Sequence, residues 1–224
     1  MLLLAEAQTI NGSAEEALKT YQEILDARGG ATGAVDDSNK DIFRRMAPLL
    51  QQLENYIEAA QCLEKVLREE KQEILKVGLW TKIAGNYKKA GEKERTLNAS
   101  KQAYEIMLRV QGLRDPQTQR CKLNLAQVYQ AFDNEAYAKR LYNEYLEQFG
   151  KQNGENGLEN WSDNPTFTKM RDFAEAQIAT IDKVDEGEEE EYYDEEEGEA
   201  EEDDAPAAVD GAAADDDGDD EDAE

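Results

Sequence analysis

The sequence predicts an all-α protein in which stacked helical hairpins form a solenoid, followed by a closing helix and a disordered acidic tail. Three observations support this prediction. Apolar residues recur at spacings of three and four in blocks of helix length, which is the period of an amphipathic helix. These blocks repeat every 37 to 42 residues, and the negative charge is concentrated at one end of the chain. No sustained alternation of β-branched residues indicates a strand.

The repeat is carried by a motif of one aliphatic residue, an alanine directly after it and a large residue three positions later. Its copies are Leu4, Ala5 and Gln8; Met46, Ala47 and Leu50; Ile83, Ala84 and Tyr87; and Leu125, Ala126 and Tyr129. The second half of each block has its own motif of small and large residues. Its copies are Ala17, Tyr21 and Ile24; Ala59, Leu63 and Val66; Thr96, Ser100 and Ala103; and Ala138, Tyr142 and Tyr145. One hairpin cannot bury its own apolar face, so the blocks are expected to stack.

These motifs resemble the tetratricopeptide repeat, in which Leu-Ala and Tyr lie on the first helix and Ala and Tyr on the second. The long period and the segment GLRDPQTQRCKLNLAQVY, residues 112–129, are similar to the kinesin-light-chain and nephrocystin type. The resemblance covers residues 1–150 and implies a non-enzymatic protein that binds other proteins. The sequence departs from the family pattern in three places. Lys122 replaces the usual Trp, and Pro48 lies inside a helix. The first block begins part-way through its first helix.

The domain organisation follows from the repeats and from the charge. We expect a helical array over 1–162, with repeats at 1–28, 40–70, 77–110 and 115–149, a capping helix at 163–184 and the tail at 185–224. The tail holds 24 of the 52 acidic residues and no Lys or Arg, so residues 1–184 carry 28 acids and 25 bases. Such a run of like charges cannot bury a core.

Helix ends and connections can also be read from the sequence. Asp115 before Pro116 and Asn164 before Pro165 are each an N-cap followed by a proline suited to the first helical position. We expect long connections at 27–39 and 150–160, with Trp161 folded back onto the last repeat. Pro48 is expected to kink or interrupt its helix.

The composition argues against most enzyme chemistry. The chain has no His, which excludes His-based triads and His-ligated zinc, and it has no Gly-rich phosphate loop. We therefore expect no catalytic residues, no metal and no cofactor. The two cysteines cannot make a disulfide framework, and no signal peptide or membrane span is present, so we expect a cytoplasmic protein that does not bind membranes. The resemblance adds the cytoskeleton, a motor assembly, or a cilium, flagellum or axoneme as further expectations.

The resemblance also implies a concave groove lined by the first helix of each repeat. Its exposed places would hold six bases and one acid. The predicted peptide-binding residues are Arg44, Arg45, Lys82, Lys88, Lys89, Arg120, Asn124 and Gln127. Such a groove would bind an acidic or extended peptide, with Asn124 holding its backbone. The alternative is that exposed helix faces are charged in any protein.

The acidic tail has three candidate roles: it keeps the protein soluble, occupies the basic groove as a competitor, or binds a basic partner. It disfavours nucleic acid, because it would repel a phosphate backbone. The preferred interpretation is an interaction scaffold or adaptor. The alternatives are an acidic-tailed chaperone for a basic client such as histone, and a structural subunit of a larger complex.

Overall fold

A computed structural model of the protein describes residues 1–29, 37–152 and 161–196, of which 37, 38, 152 and 185–196 are described by their backbone only. Within these ranges the chain forms a series of α-helices and a short 3-10 helix at Trp161–Asp163. The α-helices are α1 (Leu2–Ile10), α2 (Ala14–Ala27), α3 (Asp37–Gln52), α4 (Tyr56–Arg68), α5 (Glu73–Lys89), α6 (Lys93–Gln111), α7 (Pro116–Gln130), α8 (Glu135–Gln152) and α9 (Pro165–Glu196).

Each helix from α1 to α7 packs against the next one along the chain, as the hairpins of a solenoid do. The predicted fold class, an all-α solenoid of helical hairpins, is confirmed for the described residues. Residues 1–183 form one compact unit, and a second unit begins at Val184 within α9. Helix α9 continues to Glu196, beyond the expected end of the capping helix at 184. The remainder of the predicted tail, 197–224, lies outside the described residues, as do 30–36 and 153–160 of the two predicted connections.

The core is built on the two repeat motifs. The motif alanines are all buried. Because the side chain of alanine is small, it lets two helix backbones approach closely. Large side chains fill the space beside them: Tyr21 and Tyr142 are 1% and 0% exposed. One hydrophobic cluster extends from Ala5 to Ala99 and a second from Leu123 to Ile181, with a small third cluster at Val77, Ala103, Ile106 and Met107.

The turn inside every hairpin has the same geometry. A residue with positive φ occupies each turn: Gly12 (φ 80°), Glu54 (φ 58°), Gly91 (φ 76°) and Asp133 (φ 58°). The next residue donates its backbone N–H five residues back. These bonds are Ser13 to Gln8 (3.0 Å), Asn55 to Leu50 (2.8 Å), Glu92 to Tyr87 (2.9 Å) and Asn134 to Tyr129 (3.0 Å). This is the Schellman helix ending, which satisfies a carbonyl that the helix cannot.

Helix starts agree with the sequence prediction, and of the two outcomes expected at Pro48, a kink or an interruption, the interruption does not occur. Asp115 accepts hydrogen bonds from the backbone N–H groups of Gln117 (2.8 Å) and Thr118 (3.1 Å), directly before α7. Asn164 accepts one from Thr166 (2.9 Å) before α9. Helix α3, however, passes through Pro48 without interruption to Gln52. Pro48 is exposed, so its ring meets solvent and not a packed neighbour.

An aromatic cluster closes the second core. The indole of Trp161 is buried and stacks on the ring of Phe167, with centroids 4.1 Å apart and planes inclined by 4°. Tyr145 of α8 lies 6.1 Å from Trp161, and its hydroxyl donates a hydrogen bond to the backbone oxygen of Phe167 (2.8 Å). Trp161 therefore lies against α8, and the start of α9 is tied to that helix.

Lys122 shows how the fold accommodates a departure from its repeat pattern. Its side chain occupies the place that Trp80 fills in the preceding repeat and is buried, with Nζ 2.9 Å from Oε2 of Glu144 on α8. The Lys122 hydrogen bond is the main cause that lowers the pKa of Glu144, with a smaller effect from Arg140. The ion pair thus replaces aromatic packing between α7 and α8.

We expect Glu54→Gly to raise the free energy of unfolding by about 1 kcal/mol, because a side chain in the left-handed region costs roughly 1–2 kcal/mol and glycine avoids that cost. Gly91→Ala, at the equivalent turn, is the matched reverse change and should lower it by a similar amount. Urea denaturation followed by circular dichroism measures both. Equal stability of Glu54→Gly and the unchanged protein would contradict the turn assignment.

We expect Glu144→Gln to lower the free energy of unfolding by roughly 1–3 kcal/mol, because it leaves the buried Lys122 ammonium without a counter-ion while Glu144 itself is partly solvated. Lys122→Met, which removes the charge that needs a partner, should be neutral or stabilising. The pKa of Glu144 is lowered on folding, so the ion pair stabilises the protein above the ordinary carboxyl pKa of 4.5 and less as the pH falls below it. The difference between Glu144→Gln and the unchanged protein should therefore shrink in urea titrations at acidic pH.

Candidate functional site

The candidate site is the surface shared by the first helices of successive repeats, which we call the groove. Three observations show that these helices are neighbours. The side-chain amide of Gln51 on α3 donates to Oδ1 of Asn86 on α5 at 2.8 Å. One cavity is lined jointly by α5 and α7, and a second by α7 and α9. The eight predicted binding residues belong to the helices α3, α5 and α7.

At its N-terminal end, the cations of the groove already have partners within the protein. Arg44 lies 2.9 Å from Oε2 of Glu70, and Arg45 lies 2.8 Å from Oε1 of Glu6. The Lys89 ammonium sits 5.1 Å from the centre of the Tyr56 ring, as in a cation–π contact. These three predicted residues therefore hold neighbouring helices together as well as facing solvent.

Glu70 is the centre of the largest of these ion-pair groups. Its side chain is buried and accepts hydrogen bonds from the backbone N–H groups of Lys71 (3.1 Å) and Gln72 (3.2 Å), at the start of α5. Its other oxygen faces Lys40 and Arg44 of α3. The bond from Gln72 is the main cause that lowers the pKa of Glu70, followed by Lys40 and Arg44. Glu70 remains ionised and fixes α3 relative to α5.

The C-terminal part of the groove is different. Lys82, Lys88 and Arg120 are exposed and form no ion pair with any residue that the structure describes. Lys88, Asn124 and Gln127 line the cavity between α5 and α7, whose volume is about 160 Å³. Arg120, Asn124 and Gln127 line the cavity between α7 and α9, whose volume is about 370 Å³. The structure thus gathers four of the predicted residues, Lys88, Arg120, Asn124 and Gln127, around two adjoining cavities.

Some groove residues were missed by the sequence reasoning. Helix α9 was interpreted only as a cap, yet Thr166, Lys169, Met170 and Phe173 line the second cavity opposite α7. Lys169 is exposed and stands four residues after Pro165, as Arg120 stands four residues after Pro116. The shared cap and proline were the signal that α9 continues the series of first helices. Lys169 therefore adds a fourth cation without an ion pair among the described residues.

The same region contains one of the two cysteines. Cys121 lines the smaller cavity and is partly buried, and this burial is the main cause that raises the pKa of its thiol. A raised pKa keeps the thiol protonated and weakly nucleophilic at neutral pH. Among the residues described, no three or more His, Cys, Asp or Glu side chains are grouped so that they could hold a metal ion. No described helix combines the length and apolarity that crossing a membrane requires.

Comparison with known proteins identifies the fold. No protein-family model and no curated protein matches the sequence. Among solved structures, the nearly identical TPR-like repeats of a Podosopora anserina protein named for kinesin light chain align with a TM-score of 0.51 and 16% identity, over 82% of this chain and 92% of that one. A single-residue variant of those repeats gives the same TM-score of 0.51 at 15% identity, over 84% and 94%. BtubC (BKLC) from P. vanneervenii aligns with a TM-score of 0.50 and 17% identity, over 94% and 85%.

The chain has the tetratricopeptide-like fold. These tetratricopeptide-like structures share too little sequence with it to transfer a function, and what they establish is the arrangement of the helices. That arrangement confirms the predicted resemblance. It agrees with the adjacency of α3, α5, α7 and α9 along one surface.

We expect Gly85→Ala to raise the free energy of unfolding by about 0.5–1 kcal/mol, since glycine inside a helix costs this much relative to alanine. Gly85 lies within α5, and an added Cβ would meet no atom within 4 Å. Gly78→Ala, with the same open surroundings, is the matched second site. Guanidinium denaturation measures both, and a loss of stability would show that the inner face of α5 is more crowded than described.

Proposed function

We propose that this tetratricopeptide-like array is a non-enzymatic scaffold that binds an acidic, extended segment of a partner protein along its groove. The observation that supports this proposal is a set of three cations, Lys88, Arg120 and Lys169, which have no ion-pair partner among the described residues and line two adjoining cavities. Lys82, on the same helix as Lys88, also has no ion-pair partner among these residues. Carboxylates are the groups that Lys and Arg bind most strongly in proteins.

Asn124 and Gln127 supply the second part of the recognition. Both line the two cavities, so they stand where a segment crossing from one cavity to the other must pass. A primary amide carries both a donor and an acceptor, which matches the N–H and C=O of a peptide backbone. The cations select for acidic side chains while the amides hold the main chain, whatever its sequence.

The cations near α3 form ion pairs within the protein and those near α7 form none with the described residues, and this difference indicates where the segment makes its main contacts. Arg44 and Arg45 are held by Glu70 and Glu6, so an incoming carboxylate would have to compete with these acids. The cations around α7 need no such exchange. The binding segment therefore makes its main contacts on α5, α7 and α9, and Arg44, Arg45 and Lys89 contribute less. A role in a cytoskeletal, motor or ciliary assembly belongs to this proposal only by analogy with the kinesin-light-chain name.

The test is fluorescence polarisation of a labelled hexaglutamate peptide titrated with the full chain. We expect Lys88→Glu combined with Arg120→Glu to weaken binding roughly tenfold or more, since two attractive charges become repulsive. Lys19→Glu on α2 combined with Arg68→Glu on α4 is the matched control, because both residues are exposed on second helices and the net charge changes by the same amount; it should leave binding within about twofold. Binding to the unchanged protein should also weaken as salt is added.

Two results would count against the scaffold. The first is equal hexaglutamate affinity for the groove variant and the control variant that carries Lys19→Glu and Arg68→Glu. The second is tight binding of a labelled hexalysine peptide that is lost when residues 185–224 are removed, which would favour the acidic-tailed chaperone.

A further inference from the structure

The cavity between α7 and α9, of about 370 Å³, is lined by polar side chains that have no partners. Five of them form no side-chain hydrogen bond and no ion pair with any residue that the structure describes: Arg120, Asn124, Gln127, Thr166 and Lys169. At the other end of the groove, by contrast, Arg44 and Arg45 are held by acids. The polar groups of this cavity are therefore available to a ligand.

The charges around this cavity favour an anion. Arg120 and Lys169 are both exposed, and none of the eight described residues that line the cavity is acidic. The protein as a whole carries a formal net charge of −27, so a lining with two cations and no acid does not follow from the overall composition. The cavity thus presents two positive charges that no lining residue neutralises.

Apolar side chains complete the lining. Leu123 and Met170 are 4% and 9% exposed, and Phe173 is partly buried beside them. Next to such a surface the local dielectric constant is lower than in open water, so the attraction between a bound anion and the two cations is stronger. A compact anionic group on this surface would therefore be bound more firmly than on an ordinary basic helix face.

We propose that this cavity binds a phosphoserine side chain of the partner segment. This inference rests on the proposed function, because it names one modified residue of the segment that the groove binds. A phosphoryl group carries a charge of about −1.5 to −2 at pH 7 and offsets both cations, whereas a carboxylate offsets one. Its three acceptor oxygens can take bonds from the Arg120 guanidinium, the Lys169 ammonium and the Thr166 hydroxyl, each of which donates.

The experiment compares two labelled peptides of equal charge with the full chain by fluorescence polarisation. The first has phosphoserine between three glutamates on either side, and the second is octaglutamate, both with blocked termini. We expect the phosphoserine peptide to bind about tenfold more tightly at pH 7.5, the ratio that one additional charge-assisted hydrogen bond gives. Because the two peptides carry the same charge, this preference reports the phosphoryl group itself.

The pH dependence of the preference is a second readout. The chain has no His, the side chain whose ordinary pKa lies between pH 5 and 8, and the charged residues that line the cavity are Arg120 and Lys169. Phosphoserine has a second pKa of about 6, whereas the ordinary pKa of glutamate is about 4.3. Lowering the pH to 5 therefore removes one charge from most of the phosphoryl groups, and the preference should shrink to about twofold.

Single substitutions place the phosphoryl group in the cavity. Lys169→Gln and Thr166→Val each remove one proposed donor, and each should reduce the preference to about threefold or less. Lys169 is exposed and valine has the shape of threonine, so both variants should fold, which circular dichroism checks. Lys183→Gln is the matched control, because it removes an exposed lysine of the same helix that does not line the cavity, and it should leave the preference unchanged.

The outcomes distinguish this inference from the proposed function. Equal affinity for the two peptides at pH 7.5 overturns the phosphoserine site and leaves the scaffold proposal standing. A preference that neither Lys169→Gln nor Thr166→Val reduces also overturns it. If free O-phosphoserine displaces the labelled peptide as effectively as the unlabelled peptide does, the site takes a small phosphorylated molecule and its assignment to a protein segment is wrong. Absence of binding by both peptides overturns both proposals.

Discussion

The whole array depends on the close approach of paired helices over small residues. A buried alanine in each first-helix motif (Ala5, Ala47, Ala84 and Ala126) lets two helix backbones approach closely, and large side chains such as Tyr21 and Tyr142 fill the space beside the contact. A single hairpin is not stable alone, because it leaves one apolar face in water. The stack is therefore held by a row of similar contacts, and each repeat constrains the orientation of the next.

Because the frame is repeated, departures from the motif can be compared directly with the positions that keep it. Lys122 replaces an aromatic residue, and the fold supplies Glu144 as its counter-ion. Ser100 and Ala103 replace larger residues, and no other side chain fills the space. The first departure is compensated inside the protein and the second is not.

The cations along the groove also fall into two groups, those with a partner inside the protein and those without one among the described residues. Near α3, arginines are engaged by Glu6 and Glu70, and Glu70 also caps the start of α5, so these cations contribute to the frame. Near α7, cations and amides surround open space. Surface ion pairs contribute little stability on average, whereas exposed cations without partners remain available to a ligand. The predicted basic groove is thus not uniform, because its cations near α3 form ion pairs within the protein and Lys88, Arg120 and Lys169 form none with the described residues.

The sequence by itself determined the helical class, the pairing of the helices, the hairpin turns and the capped starts of α7 and α9, because these depend on local periodicity and on backbone preferences of individual residues. It also identified four of the residues around the two cavities, Lys88, Arg120, Asn124 and Gln127, since the helical period places such residues on one face. Only the tertiary structure decided that Arg44 and Arg45 are engaged, that α9 contributes Lys169 to the groove, and that Ser100 lies beside open space. Those properties depend on which side chains from distant repeats meet, and spacing within one helix carries no information about that.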